Sequence, residues 1–93
     1  MQCKLCNRQI LTGNDSEHHL VPKSRGGRHN PTVTLHEICH KQIHALFSER
    51  ELAISYNDIN SLKDHRDVKR FIKWISKKAP EFNVKVRIRR KNR

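Results

Sequence analysis

Leu35-His36-Glu37-Ile38-Cys39-His40-Lys41-Gln42-Ile43-His44-Ala45-Leu46-Phe47 carries ligands for two different sites in one stretch. His40 and His44 are spaced i, i+4, so on a helix they stand one above the other on a single face and both reach one metal ion. His36 and Cys39 form a His-x-x-Cys pair with the same spacing as Cys3-x-x-Cys6 near the start of the chain. Two interleaved ligand sets on one predicted helix describe a metal-stapled domain, and the rest of the sequence is best read outward from them.

Cys3, Cys6, His36 and Cys39 suit a tetrahedral structural Zn2+. Three soft sulfurs and an imidazole favour zinc, and four protein ligands leave no position for substrate. The motive is size: at 93 residues the chain is one small domain, short of the length at which an apolar core alone is secure. Its 3 cysteines, an odd number, argue against a secreted disulfide framework. The competing readings are a redox pair at Cys3-x-x-Cys6 or a Cys39 that is merely buried. No βαβ pattern follows the pair, which disfavours the redox version.

Upstream of the helix, His18-His19-Leu20-Val21-Pro22 reads as a short extended segment whose adjacent side chains point to opposite sides. One imidazole of the pair can then join His40 and His44 on a metal while the other stays free as a general base, its ordinary pKa of about 6.5 being suited to that task at neutral pH. Glu17 could add a carboxylate or orient a ligand. Lys23-Ser24-Arg25-Gly26-Gly27 is a flexible basic turn, and Asn30-Pro31 opens a second extended run over Thr32-Val33-Thr34-Leu35, so the order is hairpin, then helix. Taken alone, the His40/His44 pair beside Ile43 and Phe47 could be ordinary helix surface. The joint occurrence of a His pair, a Gly-rich basic turn, an Asn before a strand and a helical His-x-x-x-His favours a site.

Downstream, composition divides the chain into three regions. Residues 1–47 hold all 3 cysteines and all 3 glycines, residues 48–80 read as supporting helices, and residues 81–93 as a basic strand or tail. Ser48 with Glu51 predicts a capping box opening a short helix through Ile54, and Asn57 or Asp58 begins a turn-prone stretch. From about Ser61 one longer helix is expected, with Ser61 and Asp64 as a second capping box, Val68, Phe71, Ile72 and Ile75 as its apolar stripe, and Pro80 as its stop. Val84, Val86 and Ile88 alternate with Lys85, Arg87 and Arg89 as in a strand with one cationic face, followed by Arg90-Lys91-Asn92-Arg93.

Charge identifies the partner class. Lys and Arg number 20 against 9 acidic residues, a formal charge of +11, which is the footprint of a polyanion binder. No apolar run approaches a membrane span and the first residues lack a signal-peptide core, so nucleic acid in the cytoplasm is expected. Lys23 and Arg25 in the turn and Lys85, Arg87, Arg89 and Arg90 in the tail are the expected phosphate contacts. The few aromatics give no evident stacking platform, so double-stranded DNA is the default partner.

These residues resemble a family. His18-His19-Leu20-Val21-Pro22, Gly26-Gly27, Asn30, Leu35-x-x-x-Cys39-His40 and His44 are similar in order to the motif of the HNH endonucleases, over roughly the first half of the chain. The resemblance implies an α+β fold: a small ββα-metal (His-Me finger) core, here stapled by structural zinc, with additional C-terminal helices and the short basic strand or tail. It implies His19 as general base, Asn30 as the residue that holds the loop and orients that base, and His18, His40 and His44 as ligands of one catalytic divalent metal. The implied activity is hydrolysis of DNA phosphodiesters, by nicking or double-strand cleavage, leaving 5′-phosphate and 3′-hydroxyl. Many members carry Cys where this chain has His36 and Asp where it has His18. Imidazole for carboxylate shifts preference from Mg2+ toward Zn2+, Ni2+, Co2+ or Mn2+. A zinc-stabilised DNA-binding module without catalysis is the alternative, and a partner protein supplying specificity a third reading.

Overall fold

A tight turn places the first two cysteines. The Asn7 N–H donates to the Cys3 carbonyl (2.9 Å), the Cys3 N–H donates to the Arg8 carbonyl (2.9 Å), and Gln2 bridges Gln9. Asn7 sits at φ 66, a left-handed conformation that asparagine tolerates better than most residues. In the computed structural model, which describes residues 2–27, 31–80 and 82, this knuckle is tied to the rest of the chain by the Lys4 N–H, which donates to the Thr34 carbonyl (3.2 Å).

Strands β1 (Asp15–His19) and β2 (Thr32–His36) pair antiparallel, with Asp15 opposite His36 and His19 opposite Thr32. The first strand starts earlier than the expected His18–Pro22 segment and ends at His19. Beyond it the Leu20 N–H donates to the Pro31 carbonyl (3.3 Å), and Pro22 has no N–H to continue a ladder. Within the basic turn, Lys23–Arg25 form one 3-10 turn, closed by Gly26 in the left-handed region (φ 85). Gly27 is buried against Val21, where a Cβ would run into the Val21 carbonyl.

Helix α1 (Glu37–Leu46) follows β2 without a loop, with His36 as its N-cap. Ile38, Cys39 and Ile43 turn inward, and with Leu35 of β2 and Leu5 and Ile10 of the knuckle they form one end of the core. Helix α2 (Glu49–Ile54) begins at the expected capping box, in which the Glu51 N–H donates to Ser48 Oγ (3.1 Å) and the Ser48 N–H donates to the Glu51 carboxylate (2.9 Å).

The single helix expected from about Ser61 is instead two, α3 (Ile59–Asp64) and α4 (Arg66–Ile75). Asp58 caps α3 by accepting from the Ser61 N–H (2.8 Å), so Ser61 lies inside the helix rather than before it. His65 ends α3 and starts α4 in an extended conformation, its Nδ1 accepting from the Asp67 N–H (3.1 Å). Its ring packs against Phe47 (4.9 Å) and Tyr56 (5.4 Å), a tertiary contact that favours the break over a continuous helix. Leu52, Leu62, Val68, Phe71 and Ile75 complete the core. The expected strand over Val84, Val86 and Ile88 lies outside the described residues. Among the described residues no helix is long and apolar enough to cross a membrane.

Candidate metal centres

Cys3, Cys6, His36 and Cys39 converge as their spacing predicts. All four are buried, and their ligand atoms lie within 4.8 Å of one another. The knuckle supplies two sulfurs; the junction of β2 and α1 supplies the imidazole and the third sulfur. His36 Nδ1 is the ring nitrogen that faces the cluster, 3.6 Å from Cys6 Sγ, and the His36 N–H donates to Cys3 Sγ (3.3 Å). The thiols share protons unevenly. Hydrogen bonds from Cys3 and Cys39 hold the Cys6 thiol far below its ordinary range, against burial and with help from Arg8. The complementary hydrogen bonds with Cys3 and Cys6, together with burial, push Cys39 up. Three buried sulfurs in contact are poorly satisfied by protons alone, and their geometry and softness fit a structural metal ion of the zinc type.

Arg8, which sequence reasoning did not single out, completes this centre from outside. The residue is only 8% exposed; its Nε–H donates to Cys6 Sγ (3.3 Å) and its Nη1–H donates to the Ala79 carbonyl beyond α4 (2.7 Å). A guanidinium cannot shed its charge, so buried here it compensates negative charge on sulfur. CxxC followed two residues later by Arg is the sequence trace of that contact, but its partner Ala79 is visible only in the fold.

The second cluster joins β1 to α1. His18, His40 and His44 bring ligand nitrogens within 4.8 Å of one another, with ring centroids 4.9 to 5.4 Å apart. His18 is 0% exposed, and both its ring nitrogens are buried without a hydrogen-bond partner among the described residues. Two orphaned polar atoms on one buried ring are costly unless another group satisfies them. Burial, then the neighbouring His40, His44 and His19, pulls the His18 pKa down to about 4. Burial, then His44 and His19, does the same to His40, which also falls to about 4. Burial lowers His44, opposed by Glu49. All three rings are therefore neutral nitrogen donors at physiological pH. Ser16 Oγ lies 2.6 Å from His40 Nδ1, fixing that ring and leaving its Nε2 free of this contact.

His19, the next residue of β1, is half-buried and lines a cleft with Glu17, Pro22, Lys23, Ser24, His40, His44 and Glu49. Ser24 Oγ donates to the Glu49 carboxylate, pinning the 3-10 turn to the first turn of α2. Lys23 thus stands at the cleft, whereas Arg25 is exposed on the same turn outside its lining. Asn30, Lys85, Arg87, Arg89 and Arg90 lie outside the described residues. Neither Ser16 nor the Ser24–Glu49 contact has a sequence signal.

Fold and donor sets together define a small α+β domain, a two-stranded sheet with four helices among the described residues, and a Cys3His cluster able to hold a structural metal. The sequence is 44% identical over 85 residues to the uncharacterized protein YisB of Bacillus subtilis (strain 168), an alignment covering 91% of this chain and 83% of YisB. The chain belongs to the family of that protein. No family model matches it, and neither does any solved structure.

Proposed function

We propose that the protein is an HNH endonuclease, a metal-dependent DNA phosphodiester hydrolase built on a ββα-metal core. The observation that carries this reading is His18: a fully buried imidazole with both nitrogens unpartnered, meeting His40 and His44, and followed in the strand by a His19 that instead lines the cleft. Ligand and base are thereby separated by the alternation of a strand.

The all-imidazole donor set fits one divalent ion of the Zn2+, Ni2+, Co2+ or Mn2+ type better than Mg2+, and such an ion, when bound, would supply Lewis-acid stabilisation of charge on the scissile phosphate and its departing 3′ oxygen. His18, His40 and His44 would hold it, with Ser16 orienting His40. His19, outside that set, takes a proton from water attacking the phosphorus in line; the bond to the 3′ oxygen breaks, and that oxygen takes a proton from solvent, leaving 5′-phosphate and 3′-hydroxyl. Lys23 is placed at the cleft to neutralise a phosphate oxygen. Asn30 keeps the role that the family resemblance gives it, holding the loop and orienting His19.

The test is plasmid nicking in each of the five metals by wild type and by His19→Ala. Wild type is expected to nick. The variant should lose about 100-fold or more in rate, the usual scale of a general base, while retaining its bound metal. Equal cutting by the variant would remove His19 from the mechanism. Absence of cutting by wild type in every metal, with DNA binding retained, would favour the alternative of a zinc-stabilised binding module.

A further inference from the structure

The exposed side of α4 carries Arg66, Lys69, Arg70 and Lys73, and Lys77 continues it beyond the last turn. At 3.6 residues per turn these cations form one stripe, opposite the buried Val68, Phe71 and Ile75. A merely solvated helix face usually interleaves charges so that acids and bases pair four residues apart. This chain does so on α1, where Glu37 pairs with Lys41 (3.6 Å). On α4 the sequence instead stacks like charges at that spacing: Arg66 with Arg70, Lys69 with Lys73, and Lys73 with Lys77. From Val68 to Pro80 there is no acidic residue at all. Arg66 contacts Asp67 (3.9 Å), and no ion pair restrains Lys69, Arg70, Lys73 or Lys77 among the described residues. Each like-charge pair destabilises the helix unless a polyanion covers it.

Trp74, the one tryptophan of the chain, lies at the edge of the stripe, 45% exposed, with Lys78 Nζ 5.1 Å from its ring centre. Arg70 and Trp74 border a groove whose other wall is Gln42 and Leu46 of α1. Those residues lie about half a helical turn from His40 and His44, so the stripe and the imidazole cleft occupy different sides of α1.

We infer that the exposed face of α4, Arg66 to Lys77, is a second nucleic-acid surface that holds the phosphate backbone of double-stranded DNA, separate from the imidazole cleft. The inference deepens the nuclease reading by naming where the substrate is held away from the reacting bond. A straight row of cations spaced by helical turns suits a run of backbone phosphates, and a single exposed aromatic is too little for stacking a single strand.

Two triple variants separate the stripe from overall charge: Lys69→Gln, Lys73→Gln, Lys77→Gln on α4, against Lys4→Gln, Lys41→Gln, Lys63→Gln elsewhere. Zinc content and circular dichroism check that both fold. Binding to a short duplex is followed as a function of salt, with Trp74 fluorescence as a local reporter. The α4 variant should lose about 3 from the slope of log K against log salt, at roughly 0.9 per phosphate contact, and DNA should perturb Trp74 in wild type. The control should keep most of its slope. Equal losses in the two variants, an unchanged slope in the α4 variant, or tighter binding of single-stranded DNA or of RNA than of duplex DNA would each overturn the inference. The nuclease reading stands or falls separately on nicking by wild type and His19→Ala, because the binding measurement needs no cleavage.

Discussion

His18 is a histidine that the fold keeps from titrating in its ordinary range. In an unfolded chain an imidazole takes up a proton near pH 6.5, whereas burial and the adjacent rings hold His18 and His40 at about 4 and lower His44. Between those values the unfolded chain binds more protons than the folded one. The stability from these rings is therefore fully present above about pH 6.5 and is lost as pH falls toward 4. The same shift keeps protons from competing with a metal. In protein whose cysteine centre is loaded with zinc, Co2+ affinity at the imidazole cluster, read by absorption, should change by no more than a few-fold between pH 7.5 and 5.5. Three imidazoles titrating near 6.5 would lose roughly a hundredfold or more over that range, and such a fall would refute the arrangement. The convergence of the two candidate ligand sets was legible in sequence because thiolate and imidazole spacing is itself chemical information. Arg8 and Ser16 were not, because each acts through a partner distant in sequence, Ala79 and His40 respectively.

At the scale of elements, the hairpin loop and α2 build the cleft wall together. The Ser24–Glu49 contact fixes the 3-10 turn, and the Gly27 N–H donates to the Pro22 carbonyl (3.1 Å) to close the loop behind it. Because a Cβ at Gly27 meets backbone of Val21 rather than a movable side chain, Gly27→Ala should displace the loop. A destabilisation of about 1 to 3 kcal/mol, the range for overpacking, is expected from the urea midpoint; under the proposed nuclease function, a larger proportional loss of nicking is expected as Lys23 moves. A midpoint and nicking rate equal to wild type would show that the loop is not fixed there. Periodicity revealed α1 and the core stripe of α4, and Ser48 with Glu51 revealed the start of α2. It did not reveal the division at His65, since an extended residue anchored by Phe47 and Tyr56 leaves no mark on a local pattern.

For the molecule as a whole, the cysteine centre is the point at which the knuckle, the β2–α1 junction and the segment after α4 meet. Cys3 and Cys6 come from the first, His36 and Cys39 from the second, and Arg8 reaches the third through Ala79. Metal binding at such a centre is inseparable from folding in a chain this short. Cys3→Ser with Cys6→Ser should abolish zinc binding at this centre and much of the helical circular dichroism, whereas His19→Ala should leave both. A double variant that keeps a full equivalent of tightly bound zinc and a native spectrum would disprove the staple. The overall α+β layout was readable because the two sets of candidate ligands each imply a particular meeting of segments, and such convergence marks long-range contacts that local propensity leaves open.

Cys39 and His40 are neighbours in the first turn of α1, yet their side chains serve different clusters. One residue inserted between them would rotate everything that follows by about 100°, turning His40 and His44 away from His18 while Cys39 stayed in place. The length of the chain at that peptide bond is therefore fixed with no tolerance. Across descendants of this sequence, substitutions should accumulate around the junction, but changes in length should not.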